Sequence, residues 1–191
     1  MTPAEGDPPT PLVSTRWLAD HLDEPDLRLI EVSIDPAYHD GPRIPGAVFW
    51  DGFTTILDAN LRTRFDHDAV TNLLATSGIG NDSTVVVYSD HPALGPWVFW
   101  YLRTIGHTDV RVLDGGRTKW EAEGRPLTND PVEIPETNYR LGALDTRWRA
   151  DLDEVRSAVG DTGPVLLDVR TPEEFAGELF ILAPPEDGER A

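Results

Sequence analysis

Apolar positions along this chain fall into two alternating rhythms. Short, nearly unbroken apolar runs occur at Leu27-Arg28-Leu29-Ile30-Glu31-Val32, Ala47-Val48-Phe49-Trp50, Thr84-Val85-Val86-Val87-Tyr88 and Val110-Arg111-Val112-Leu113. Runs of this length, rich in β-branched residues and without polar alternation, predict strands covered on both faces. Between them the apolar residues shift to helical spacing. Ser14 caps a helix with Trp17, Leu18 and Leu22 on one face, and Asp66 and Asp68 cap one carrying Val70, Leu73 and Leu74 and ended by Gly78. Trp97 to Ile105 is apolar almost all round, which predicts a deeply packed helix with Pro96 at its first position and Gly106 at its end. Asp114-Gly115-Gly116 then turns into a helix around Trp120. Strands alternating with helices at these lengths predict an α/β fold, a parallel sheet with helices on both faces.

The flanks of this unit have a different texture. Residues 1–11, with Pro3, Pro8, Pro9 and Pro11, read as a flexible leader. The unit itself spans 12–126, and 127–144 is polar and proline-punctuated, a linker by composition. The opening pattern then recurs. Leu18, Leu22 and the Leu29-Ile30-Glu31-Val32 run are matched by Val155, Val159 and Leu166-Leu167-Asp168-Val169, each 137 positions on. One helix-then-strand unit in register at one offset indicates a duplicated domain. Only residues 145–191 are available for the second copy, which is too little to enclose a core. An unaccompanied strand at Val165-Leu166-Leu167 would present an apolar edge, so self-association, or pairing with a missing C-terminal segment, is expected.

Charge and composition remove several classes of function. Thirty-four acidic residues stand against 16 basic ones, a net charge of −18. That deficit of Lys and Arg argues against nucleic acid and against anionic membrane surfaces as partners. No stretch has the length of a membrane helix and the N-terminus lacks the basic and apolar regions of a signal peptide, so a cytoplasmic protein is expected. There is no cysteine, hence no disulfide, thiolate nucleophile, zinc cluster or iron–sulfur cluster within these 191 residues.

Ligands of parallel α/β sheets bind at the carboxyl ends of the strands. The loop after the central strand, Ser89-Asp90-His91-Pro92-Ala93-Leu94-Gly95, is therefore the natural site, and the helix that follows favours an anion. Ser89 and His91 suggest a nucleophile with its base, but residues so close in sequence rarely aim at each other and no third group is evident to orient the imidazole. Asp66-His67-Asp68 has metal-ligand chemistry but diverging side chains, and reads as a helix cap. Gly78-Ile79-Gly80 lacks the third glycine of a dinucleotide site and reads as a turn. Gly115-Gly116 permits a tight turn and close helix packing. No cofactor or metal is expected.

Several segments together resemble the tandem-domain rhodaneses, the thiosulfate and 3-mercaptopyruvate sulfurtransferases. Arg43-Ile44-Pro45-Gly46-Ala47-Val48 is similar to that family's His-Ile-Pro-Gly-Ala-Val segment, with Arg43 in place of the histidine. The run from Gly106-His107 through Val110 to Leu113-Asp114-Gly115-Gly116 and Trp120 is similar to its most specific stretch. Leu166-Leu167-Asp168-Val169-Arg170-Thr171-Pro172-Glu173-Glu174-Phe175 resembles the opening of its second domain. The resemblance implies a non-catalytic first domain, with Ser89, Asp90, His91 and Gly95 as a degenerate active-site loop, followed by an incomplete second copy. It implies a small anionic sulfur donor for the parent enzyme, whose nucleophile is a cysteine thiolate in the second domain. No such residue is present, so no catalytic role is assigned within this chain and inactivity in sulfur transfer is expected. A cysteine-free binding or regulatory module with an anion pocket at the loop remains the alternative.

Overall fold

A computed structural model describes residues 10–135, 137–160 and 164–179. The first nine residues of the expected leader and the last twelve residues of the chain lie outside these. The chain forms two compact units, one ending at Arg149 and one beginning at Ala150.

The first unit is built on five parallel strands: β1 (Leu12–Val13), β2 (Leu27–Ser33), β3 (Ala47–Asp51), β4 (Thr84–Ser89) and β5 (Val110–Leu113), in the spatial order β1-β5-β4-β2-β3. Five helices accompany them: α1 (Thr15–His21), α2 (Gly52–Ile56), α3 (His67–Thr76), α4 (Leu94–Thr104) and α5 (Gly116–Ala122). Because side chains alternate across a strand, β4 feeds two cores at once. Val85 and Val87 join Ile30, Trp50, Val98 and Leu102 on one face, and Val86 and Tyr88 join Leu29, Leu18 and Trp120 on the other. The parallel α/β fold with helices on both faces is thus the observed one. All five strands run the same way, so the loops after β4 and β5 emerge side by side at the carboxyl edge.

Three local expectations need correction. Helix α4 begins at Leu94, so Pro96 stands at its third position rather than its first and Gly95 lies inside the first turn. A missing N–H is harmless there, since the first turn's donors have no intrahelical acceptor. The short strand β1 and helix α2 were hidden by their length. The segment read as a linker is held against the first unit. Tyr139 is buried there, with its hydroxyl 3.2 Å from Nδ1 of buried His107, whose Nε2 lies 2.8 Å from the Ser83 carbonyl. Burial lowers the affinity of His107 for a second proton. Arg140 exchanges two hydrogen bonds with the Asn81 side chain.

The second unit contains helix α6 (Leu152–Ala158), with a capping box between Asp151 and Glu154, and helix α7 (Pro172–Phe175), with a second one between Thr171 and Glu174. The strand expected at Leu166–Val169 is absent. Its counterpart in the first unit, β2, is held on both edges, by β3 and by β4, whereas 166–169 pairs with no strand among the described residues. A lone strand has no hydrogen-bond partners for its backbone, so the segment stays irregular. Leu167 and Val169 are exposed, as are Val165, Leu166 and Phe175. No helix among the described residues is long and apolar enough to cross a membrane.

Candidate functional site at the carboxyl edge of the sheet

The loop between β4 and α4 is closed on itself. Ser89 is buried at the end of β4, and its hydroxyl accepts the His91 N–H at 3.0 Å and donates to Asp90 Oδ1 at 3.2 Å. The His91 imidazole does not face Ser89: its Nδ1 accepts the Ala93 N–H at 3.2 Å, and the His91 carbonyl takes the Leu94 N–H. Three loop amides, those of residues 91, 93 and 94, are therefore spent on acceptors within the loop. That arrangement does not activate the serine hydroxyl, and it takes three of the loop's donors away from any anion.

Beside the loop is a cavity of about 280 Å³, lined by Ser89, Asp90, His91, Gly95 and, from the β5–α5 turn, Asp114, Gly115 and Gly116. Two carboxylates and no lysine or arginine line it. Gly115 caps α5 with φ 81°, and Gly116 follows with φ 55°. A Cβ on Gly116 would stand 2.5 Å from the Ser89 carbonyl oxygen, so the two loops approach as closely as backbone allows.

Below this edge lies a charged cluster that the sequence did not single out. Glu31, on β2, is fully buried, and its Oε1 accepts from Arg117 Nη1 of α5 at 2.5 Å while its Oε2 accepts from the Tyr88 hydroxyl at 2.9 Å. Arg117 is also buried. Its Nε donates to Glu121 and its Nη2 to the Pro42 carbonyl, both at 2.8 Å. Tyr88 in turn accepts the Ile44 N–H. Burial pushes the Glu31 carboxyl above its usual range, with Arg117, Tyr88 and Arg43 pulling against it. Burial also opposes the charge on Arg117, but the hydrogen bond and charge of Glu31 outweigh it and raise its proton affinity. One signal was available in the sequence: Glu31 is the only acid inside a strand that is otherwise apolar apart from Arg28 and Ser33, and a buried acid requires a partner.

The remaining motif positions serve backbone geometry or sit apart. Pro45 and Gly46 occupy the centre of a turn closed by the Ala47 N–H on the Ile44 carbonyl, with φ 83° at Gly46. Arg43 places its guanidinium 5.0 Å from the centre of the Phe49 ring and its Nε 3.7 Å from Glu31, and it bridges by backbone to Thr128. Asp168 and Arg170 belong to the second unit and pair there in the open, 2.7 Å apart at Nη2. The hydrogen bond from Arg170 holds the Asp168 carboxyl down to about 2. Asp66 caps α3 through the Ala69 N–H, while His67 and Asp68 are exposed.

Comparison with known proteins agrees with this geometry. Residues 14–123 match the rhodanese-like domain family. A putative thiosulfate sulfurtransferase of Mycolicibacterium smegmatis is 39% identical over 182 residues, covering 94% of this chain and 65% of its own length. The sulfur carrier protein TtuD of Thermus thermophilus is 38% identical over 175 residues, 90% of this chain and 61% of its own. Among solved structures, that of the 3-mercaptopyruvate sulfotransferase SseA from Escherichia coli superposes with a TM-score of 0.77 at 25% identity, over 92% of this chain and 71% of that one. The chain thus spans less than two thirds of the length of these two sequence relatives. With a matching fold and a family match over most of the first unit, the chain belongs to the rhodanese-like domain family.

Proposed function

We propose that this chain is the non-catalytic first unit, together with the opening of a second, of a thiosulfate-type sulfurtransferase, and that alone it transfers no sulfur. The observation that carries the reading is the absence of cysteine combined with a Ser89 hydroxyl already committed to its own loop. In the proposed reaction a cysteine thiolate attacks the outer sulfur of thiosulfate. The sulfur–sulfur bond breaks and sulfite leaves with its electron pair, giving a persulfide. Cyanide or a thiolate then attacks the terminal sulfur and releases the cysteine thiolate. A serine hydroxyl remains protonated near neutral pH and forms no persulfide, so Ser89 does not substitute. The role left to the first unit is structural: a fully packed sheet whose carboxyl-edge loop is locked by its own hydrogen bonds. The alternative of an anion pocket at this loop is weakened by the two carboxylates and the spent amides.

The test is thiocyanate formation from thiosulfate and cyanide. This chain is expected to give none above buffer. The same chain extended by the C-terminal portion of its Mycolicibacterium smegmatis relative that lies beyond the matched span is expected to turn over. Turnover by the chain alone, abolished in Ser89→Ala, would overturn the reading.

The second unit belongs to the same proposal. Its exposed Leu167, Val169 and Phe175 are residues that a completed sheet would cover. Sedimentation velocity is therefore expected to show concentration-dependent association that Leu167→Lys reduces. A chain that stays monomeric across the accessible range would remove this part of the proposal.

A further inference from the structure

A second cavity in the first unit, away from the β4–α4 loop, has a chemistry of its own. It encloses about 270 Å³ and is lined by Thr54 and Thr55 of α2, Arg64, Asn72 and Leu73 of α3, and Tyr101 of α4, among others. Two of these side chains are unusual. Tyr101 is only 1% exposed, yet its hydroxyl has no hydrogen-bond partner among the described residues. The hydroxyl is not sealed off: what little surface Tyr101 exposes includes it, and a small molecule in the cavity can reach it. Burial, and then the charge of Asp66, keep that hydroxyl protonated and so a donor.

Arg64 is half-buried and makes no side-chain hydrogen bond, ion pair or aromatic contact among the described residues. In a chain with two acids for every base this is a marked omission. Arg28, Arg103 and Arg111, equally half-buried, all donate to carbonyls or carboxylates. The acids whose charge is felt here, Asp66 at Tyr101 and Asp58 at Arg64, do not line the cavity and hold other partners. Asp66 caps α3 through the Ala69 N–H, and Asp58 accepts the N–H groups of Asn60 and Arg62.

We propose that this cavity is a binding site for a small oxyanion, the anionic oxygens of a phosphate or carboxylate group, held by the Arg64 guanidinium and the Tyr101 hydroxyl. Asn72 and the α2 threonines supply further polar atoms on the rim, and Leu73 and Val70 an apolar flank. A guanidinium matches the planar fork of a carboxylate or two phosphate oxygens, and a phenol adds a directed neutral donor. The volume stands just below the usual range of ligand sites, which suits a small acid rather than a nucleotide. The proposal does not depend on the sulfur-transfer reading: the cavity lies on the α3–α4 side of the sheet and shares no residue with the loop cavity.

The test titrates the full chain with inorganic phosphate and, separately, with acetate by calorimetry at low salt. Saturable binding of at least one is expected, and the arm that binds more tightly identifies the head group. Arg64→Gln is expected to weaken it about tenfold or more, and Tyr101→Phe about threefold to tenfold, as loss of a charged and a neutral hydrogen bond should. Tyr101→Phe is also expected to leave the melting temperature of the free protein unchanged or higher, since the hydroxyl it removes is unpaired. No saturable heat with either anion, binding indifferent to both substitutions, or a lower melting temperature in Tyr101→Phe would each overturn the proposal.

Discussion

Replacing Arg117 by Met is expected to destabilise the first unit by about 3–5 kcal/mol, the usual cost of removing one partner from a buried ion pair. Met keeps the length and apolar stem of the arginine, so the lost packing is small. What is lost is charge and hydrogen bonding. Glu31 has 0% of its surface exposed, and Arg117 supplies its shortest contact, at 2.5 Å. After the substitution the carboxylate keeps only the Tyr88 hydroxyl and Arg43, whose Nε is 3.7 Å away. Two other acceptors also lose their donor, Glu121 and the Pro42 carbonyl. Urea unfolding at pH 8 reads the loss, and the sign of its pH dependence is fixed. Burial already raises the Glu31 carboxyl above its ordinary value, and removing a cation raises it further. In the variant the folded state then holds a proton that the unfolded state has released, across a window starting near the ordinary carboxylate value and reaching higher than in the parent. The variant therefore loses stability as pH rises through that window, so its deficit is smaller at pH 5 than at pH 8. Adding Glu31→Gln should recover part of the deficit at pH 8, because a neutral amide replaces a stranded charge. A loss below about 1 kcal/mol for Arg117→Met would mean that the pair behaves as a solvated surface contact.

How far the sequence could be read depends on the scale of the information each element needs. β4 was legible because its own residues, Val85-Val86-Val87, are suited to a strand covered on both faces, and a core does pack on each face. Leu166–Val169 carries a similar pattern and is not a strand, because strand formation is a property of pairs and it pairs with no strand among the described residues. β1 is two residues long and exists only by its register with Val112 and Leu113. Topology alone puts the β4–α4 loop at the carboxyl edge of the sheet, but where the few hydrogen bonds of that loop go is not written in it. Nothing in the order Ser89-Asp90-His91 says that the imidazole turns towards Ala93. The Glu31–Arg117 pair spans 86 positions and the His107–Tyr139 contact 32. The acid in an apolar run announced that a partner was needed without saying which of sixteen basic residues it would be. Tyr139 sits in a polar segment whose composition says linker, and only burial by the start of β4 and the end of α4 makes it core.

The closest meeting of the two site loops gives the second large effect. Gly116→Ala is expected to cost about 2–5 kcal/mol, of which roughly 1–2 kcal/mol is the left-handed backbone and the rest steric overlap. Gly124→Ala provides the control, since Gly124 has φ 65°, close to the 55° of Gly116, but open space where its Cβ would stand. It should show the backbone cost alone. The difference between the two variants isolates the contact with the Ser89 carbonyl oxygen, 2.5 Å from the added carbon. That oxygen is main chain at the end of a central strand and has no rotamer by which to withdraw. Relief must come from a shift of the β4–α4 loop or of the first turn of α5. A shift of the loop would break the Ser89–His91 and His91–Ala93 hydrogen bonds, so faster amide hydrogen exchange at His91 and Ala93 should accompany the loss of stability in Gly116→Ala and be absent in Gly124→Ala. Equal costs for the two glycines, with unchanged exchange at the loop, would show that the β5–α5 turn does not hold the β4–α4 loop in place. Unequal costs with exchange confined to the loop would show that a glycine at the start of α5 fixes the conformation of the serine at the end of β4.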